Sequence, residues 1–73
     1  MTLNQMQYFE AICRYENFTK AANALYISQP TISQAMRDLE NECGVPLITR
    51  KGNGLVITEA GQVLLADIRQ ILQ

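Results

Sequence analysis

The side chains best suited to recognising another molecule fall on one stripe of one segment. With Ile32 set at 0° and about 100° added per residue, Pro30, Ser33, Gln34, Arg37 and Asn41 lie between about 100° and 200°. The apolar Ile32, Ala35, Met36, Leu39 and Cys43 lie opposite, between about 300° and 40°. A Gln amide donates and accepts in one plane, as the edge of adenine requires, and a Ser hydroxyl serves a base or a phosphate. Arg37 adds one permanent cation, with Glu40, Asp38 and Glu42 at the sides of the stripe. Such a stripe suits a DNA major groove. It also suits the polar outer face of a helical protein-interaction module, and from the wheel alone both readings stand. A second cluster is Arg50-Lys51, beside Gly52-Asn53-Gly54. Two cations next to glycines, where the backbone can approach closely, can reach phosphates or a narrow minor groove.

Catalytic chemistry lacks its parts. The chain has no histidine, so the commonest general base near neutral pH is missing. Cys13 and Cys43 stand far apart with no C-x-x-C pair, which leaves no metal site. Gly52-Asn53-Gly54 lacks the Lys and the following helix of a phosphate-binding loop. The expectation is a protein that is not an enzyme and needs no cofactor or metal in this domain. Both cysteines fall on apolar stripes and are expected to be buried thiols in a reducing cytoplasm, with a redox-sensing thiol as the alternative.

At 73 residues the chain holds one domain with a small core. Its 48% apolar content excludes a disordered tail. Glu10, Arg14, Glu16 and Lys20 interrupt the N-terminal segment, which excludes a signal peptide, and no apolar run is long enough to span a membrane. The expected location is cytoplasmic. Six basic residues against seven acidic ones give a net charge of -1, unusual for a nucleic-acid partner. The charges are not evenly scattered, however. Lys20, Arg37, Arg50 and Lys51 belong to the segments that would face DNA, whereas Glu10, Glu16, Glu42 and Asp67 lie elsewhere.

Four helices and one hairpin must position these groups. Leu3, Met6, Phe9, Ile12 and Cys13 mark a first helix over 3–15, capped by Thr2. Thr19 is expected to cap a second, alanine-rich helix over 20–25. Ser28 caps the third, with Pro30 in its first turn and Gly44 and Pro46 as stop signals. Leu47-Ile48-Thr49 and Leu55-Val56-Ile57-Thr58 are β-prone, and Asn53-Gly54 between them signals a hairpin. Thr58 caps a fourth helix with Glu59 in its first turn. Its apolar Ala60, Val63, Leu64, Leu65, Ile68, Ile71 and Leu72 spread over about 200°, twice what one core requires. The surplus predicts two seams, one for its own core and one for a second subunit, with Asp67 interrupting the arc at about 340°, where it sets register or lies at the margin. The pattern is still running at Gln73, as expected of an N-terminal fragment or isolated domain.

Two helices, a short turn and a two-stranded hairpin make the winged helix-turn-helix plan, mainly α with a small β-hairpin. The run from Phe18 to Ser33, FTKAANALYISQPTIS, resembles the helix-turn-helix signature of LysR-type transcriptional regulators. Leu39-Glu40, Thr58-Glu59-Ala60-Gly61, Leu3 and Phe9 fall where that family places them, and the resemblance covers essentially the whole chain. It implies a bacterial DNA-binding domain over 1–58, with the helix-turn-helix at about 19–43 and the wing at about 46–58. Residues 59–73 are then the truncated start of a linker helix that pairs two subunits. It further implies a homodimer, possibly a tetramer at full length, on an interrupted palindrome of double-stranded DNA. A small-molecule effector is implied on a C-terminal domain absent here.

By position, Gln29, Pro30, Thr31, Ser33 and Gln34 are then the base-reading candidates. Thr19, Lys20, Ser28, Arg37, Arg50, Lys51 and Asn53 are the candidates for phosphate and wing contacts. Val63, Leu64, Leu65, Ile68, Ile71 and Leu72 are the dimer candidates. The chain departs from the family where Gln34 and Asn53 stand in place of frequent arginines, and where Leu47-Ile48 replaces Leu-Phe.

Overall fold

A computed structural model describes all 73 residues. Its elements are α1 (Leu3–Tyr15), α2 (Phe18–Ala24), α3 (Gln29–Cys43), β1 (Ile48–Lys51), β2 (Gly54–Ile57) and α4 (Glu59–Leu72). Side-chain caps set most boundaries. Thr2 and Gln5 form a reciprocal capping box on α1, with the Gln5 amide donating to Thr2 Oγ1 at 3.1 Å and the Thr2 amide to Gln5 Oε1 at 2.8 Å. Ser28 Oγ accepts from the Thr31 amide and Thr58 Oγ1 from the Gly61 amide, so both expected caps are present.

The start of α2 differs from expectation. Asn17, not Thr19, is its cap, with Oδ1 accepting from the Lys20 amide at 2.8 Å. Asn is at least as good a cap as Thr, and starting two residues earlier brings Phe18 against the core. Thr19 is therefore an exposed residue of the first turn.

The buried core draws on every helix. Phe9 and Ile12 come from α1, Ala21 and Ala22 from α2, Ile32, Met36 and Leu39 from α3, and Leu65 and Ile68 from α4. Leu47 seals the end nearest the hairpin. The alanines let α2 lie close to its neighbours, which gives the helix-turn-helix its tight pairing. Between α2 and α3 the chain turns at Tyr26, in the left-handed region at φ 58°. The turn is closed by the Ile27 amide donating to the Ala22 carbonyl at 3.0 Å.

Two further expectations change here. Cys13 is buried, but Cys43 is exposed. Cys43 continues the apolar stripe of α3 one turn beyond Leu39, where the helix has run past the body it packs on. The hairpin turn is also displaced. The strands pair with Arg50 opposite Leu55 and Lys51 opposite Gly54, so the central turn residues are Gly52 and Asn53 rather than Asn53 and Gly54. Gly52 has φ 60° and Asn53 does not have a positive φ, the pattern of a type II′ turn with Gly first. Arg50 and Lys51 consequently lie inside β1.

Candidate nucleic-acid interface

The third helix turns its polar stripe outward as the wheel requires. Gln29, Pro30, Thr31, Gln34 and Arg37 are exposed, Ser33 is half-buried, and Ser28 lies exposed at the cap. The side chains are linked along the helix. Gln29 Nε2 donates to Ser33 Oγ, and Ser28 Oγ shares a hydrogen bond with Thr31 Oγ1 at 2.7 Å. Gln34 is held on both sides, accepting from an Arg37 guanidinium nitrogen and donating to Asp38 Oδ1, each at 2.8 Å. These bonds lie on the surface, where water competes for them, so a base edge can replace them at small cost.

The hairpin stands beside this helix. Successive strand residues face opposite sides, so Arg50 and Lys51 diverge. Arg50 lies on the Phe18 side and lays its guanidinium carbon 5.4 Å from the centroid of that ring. A groove lined by Phe18, Ser33, Arg37, Ile48, Arg50 and Leu55 runs between α3 and the wing. The stacking fixes the wing relative to α2 and leaves the exposed Arg50 at the edge of that groove. Lys51 and Asn53 sit at the exposed end of the hairpin, and Thr19 and Lys20 at the start of α2.

Two structural carboxylates give this surface its shape. Glu40 Oε2 accepts the amides of Leu47 at 2.7 Å and Ile48 at 3.2 Å, tying the entry of the wing to the recognition helix. Nothing in the local sequence pattern of Glu40 marks this contact across seven residues. Glu10 is buried in α1 and bound to Arg14 and Arg69. Its signal was partly available, since it stands among apolar residues with Arg14 at i+4, but Arg69 was not foreseeable as a partner. The Arg14 guanidinium is held above its usual pKa range by its hydrogen bonds to Glu10.

The dimer candidates separate into two groups. Leu65 and Ile68, expected on a partner surface, lie in the chain's own core. Leu64 and Leu72 are half-buried, while Val63 and Ile71 are 63% and 60% exposed. With Ala60 at 0°, the buried Gly61, Leu65 and Ile68 occupy about 80° to 140°. The exposed Val63, Asp67, Ala60 and Ile71 occupy about 300° to 20°, so one carboxylate interrupts this outer face. Leu65 and Ile68 therefore belong to the inner face of α4, and Val63 and Ile71 to the exposed one.

A helix-turn-helix with an exposed polar third helix and a basic wing defines a winged helix-turn-helix domain of the DNA-binding type. The chain belongs to the lysR family of bacterial regulatory helix-turn-helix proteins, whose family model matches residues 3–62. The HTH-type transcriptional regulator BudR of Klebsiella aerogenes is 46% identical over 72 residues, which cover 99% of this chain and 50% of BudR. The Hca operon transcriptional activator HcaR of Escherichia coli is 44% identical over 73 residues, covering all of this chain and 25% of HcaR. The chain thus spans between a quarter and a half of the length of these relatives. Among solved structures, a CbnR_DBD–DNA complex superposes with a TM-score of 0.93 at 40% identity, covering 99% of this chain and 83% of that one. The BenM_DBD/catB site 1 DNA complex gives 0.94 at 33% identity, covering 99% and 80%. No helix is long and apolar enough to cross a membrane.

Proposed function

We propose that this domain binds double-stranded DNA sequence-specifically as part of a transcriptional regulator, with α3 in the major groove and the wing on the flanking backbone. One observation carries the reading. Of the six basic side chains, Arg14 and Arg69 are bound to Glu10. The four without a carboxylate partner in an ion pair, Lys20, Arg37, Arg50 and Lys51, all lie on α2, α3 or β1. A chain of net charge -1 thus presents a cationic surface around its polar helix. Gln29, Pro30, Thr31, Ser33 and Gln34 face base edges. Thr19, Lys20, Ser28, Arg37, Arg50, Lys51 and Asn53 line the phosphate and wing contacts. The outer seam of α4, centred on Val63 and Ile71, pairs two copies on two half-sites. The domain acts in the cytoplasm without a cofactor of its own, and a small-molecule effector of the regulator binds outside these residues.

Fluorescence anisotropy with a duplex from upstream of the protein's own operon, against a random duplex, tests this. Tighter binding to the former is expected, with log K falling against log salt by about 0.9 per neutralised phosphate. Equal affinity for both duplexes, or binding indifferent to salt, refutes it.

A further inference from the structure

Glu10 is 7% exposed and takes no part in the DNA surface. It stands in a run of buried residues, between Phe9 and Ala11, Ile12 and Cys13. A carboxylate taken out of water there needs hydrogen-bonding partners. Arg14, one turn along the same helix, meets both of its oxygens. Arg69 brings its Nε to 3.3 Å of Oε2 from α4, 59 residues away. The first contact forms within α1 whatever α4 does, whereas the second fixes α4.

The remaining anchors of α4 are graded along its length. Its first turn is held by the Thr58 cap and by Gly61 packed against the Leu47 carbonyl. Its middle is held by the buried Leu65 and Ile68. Beyond Ile68, Leu72 packs half-buried against the core and Arg69 is the one residue with a polar tie to the body; the exposed Ile71 lies between Arg69 and Leu72.

We propose that Glu10 is a positioning residue for DNA recognition. By holding Arg69 it fixes the direction in which the end of α4 leaves the DNA-binding body. It thereby fixes the separation and twist of the two recognition helices in a dimer paired through α4. The inference rests on the dimeric reading under Proposed function. Separation matters because each added base pair moves a half-site by about 3.4 Å and turns it by about 35°. A rigid pair of helices discriminates between spacings and a loosely joined pair does not.

The test titrates the protein against duplexes carrying two half-sites whose separation is altered by one or two base pairs, and against a single half-site. The unaltered protein is expected to lose at least about tenfold in affinity per base pair of shift. Arg69→Gln, at a residue with a half-exposed side chain, and Glu10→Gln are expected to lose less than about threefold on the same shift. Their single-half-site affinity should be unchanged, and Arg69→Lys should restore discrimination. Spacing profiles of Arg69→Gln and Glu10→Gln that match the unaltered protein overturn the proposal. So does an equal loss on the single half-site, which marks a purely structural role. Should Glu10→Gln lose its cooperative melting transition, Arg69→Gln decides. If the unaltered protein itself binds half-sites independently of spacing, the dimeric reading fails first and the positioning role falls with it.

Discussion

At the scale of single residues, the candidate base-reading groups are pre-ordered by one another. Gln29 must exchange its bond to Ser33 for a base, and a bidentate Gln–adenine contact is worth about 1–3 kcal/mol of discrimination. Gln29→Ala is therefore expected to cost about that much on the cognate duplex and little on random DNA, as read from paired titrations. Gln34 differs because Arg37 and Asp38 hold its amide from both sides. The two cysteines also part company. Burial pushes the Cys13 thiol up to about 12, while Cys43 is exposed. A thiol reagent at pH 8 should modify Cys43 in the native protein and reach Cys13 only on unfolding. Burial favours the neutral thiol, so the unfolded chain loses this proton first as pH rises. The contribution of Cys13 to stability is full below pH 9.0 and is lost progressively towards about pH 12, which denaturant melts of Cys13→Ala and the parent across that range would register.

At the scale of elements, the joint between the wing and α4 depends on close approach. A Cβ on Gly61 would collide with the Leu47 carbonyl and come within 2.8 Å of Ile57 Cγ2. Gly→Ala inside a helix ordinarily gains up to about 1 kcal/mol. Here the sign should reverse, with Gly61→Ala destabilising by about 1–3 kcal/mol in urea melts, because α4 must retreat from backbone atoms that cannot yield. Glu40 is the complementary tie. Glu40→Ala strips two amides, those of Leu47 and Ile48, of their acceptor and should cost about 1–3 kcal/mol. It should also weaken DNA binding by freeing the wing. Phe18 joins the same system, since its ring supports Arg50.

At the scale of the whole molecule, α4 serves two bodies at once. Its inner seam completes a core that 73 residues could scarcely build from three short helices and a hairpin. Its outer face exposes Val63 and Ile71. Val63→Asp or Ile71→Asp should shift sedimentation towards monomer with the melting temperature retained. Ile68→Asp should instead abolish the cooperative melt by placing a charge in the core. The charge distribution works on the same scale. With Arg14 and Arg69 engaged by Glu10, four cations without an ion-pair partner remain on α2, α3 and β1 beside the polar helix. Modest affinity from one domain is the expected result, and pairing of two half-sites supplies the rest.

The sequence by itself determined the number and order of the elements, three of the four helix caps, the polar face of α3 and the breadth of the apolar arc of α4. These follow from periodicity and from side chains that act within a few residues of their own backbone, as Thr2, Ser28 and Thr58 do. Local rivals confused it where two short signals competed, as with Asn17 against Thr19 and Gly52-Asn53 against Asn53-Gly54. Only the tertiary structure decided which seam Leu65 and Ile68 belong to, that Cys43 overhangs the core, and that Arg50 stacks on Phe18. It alone joined Glu10 to Arg69 and Glu40 to the start of the wing. Each of these depends on which distant surfaces meet, and a helical period states that a face is apolar without stating what covers it.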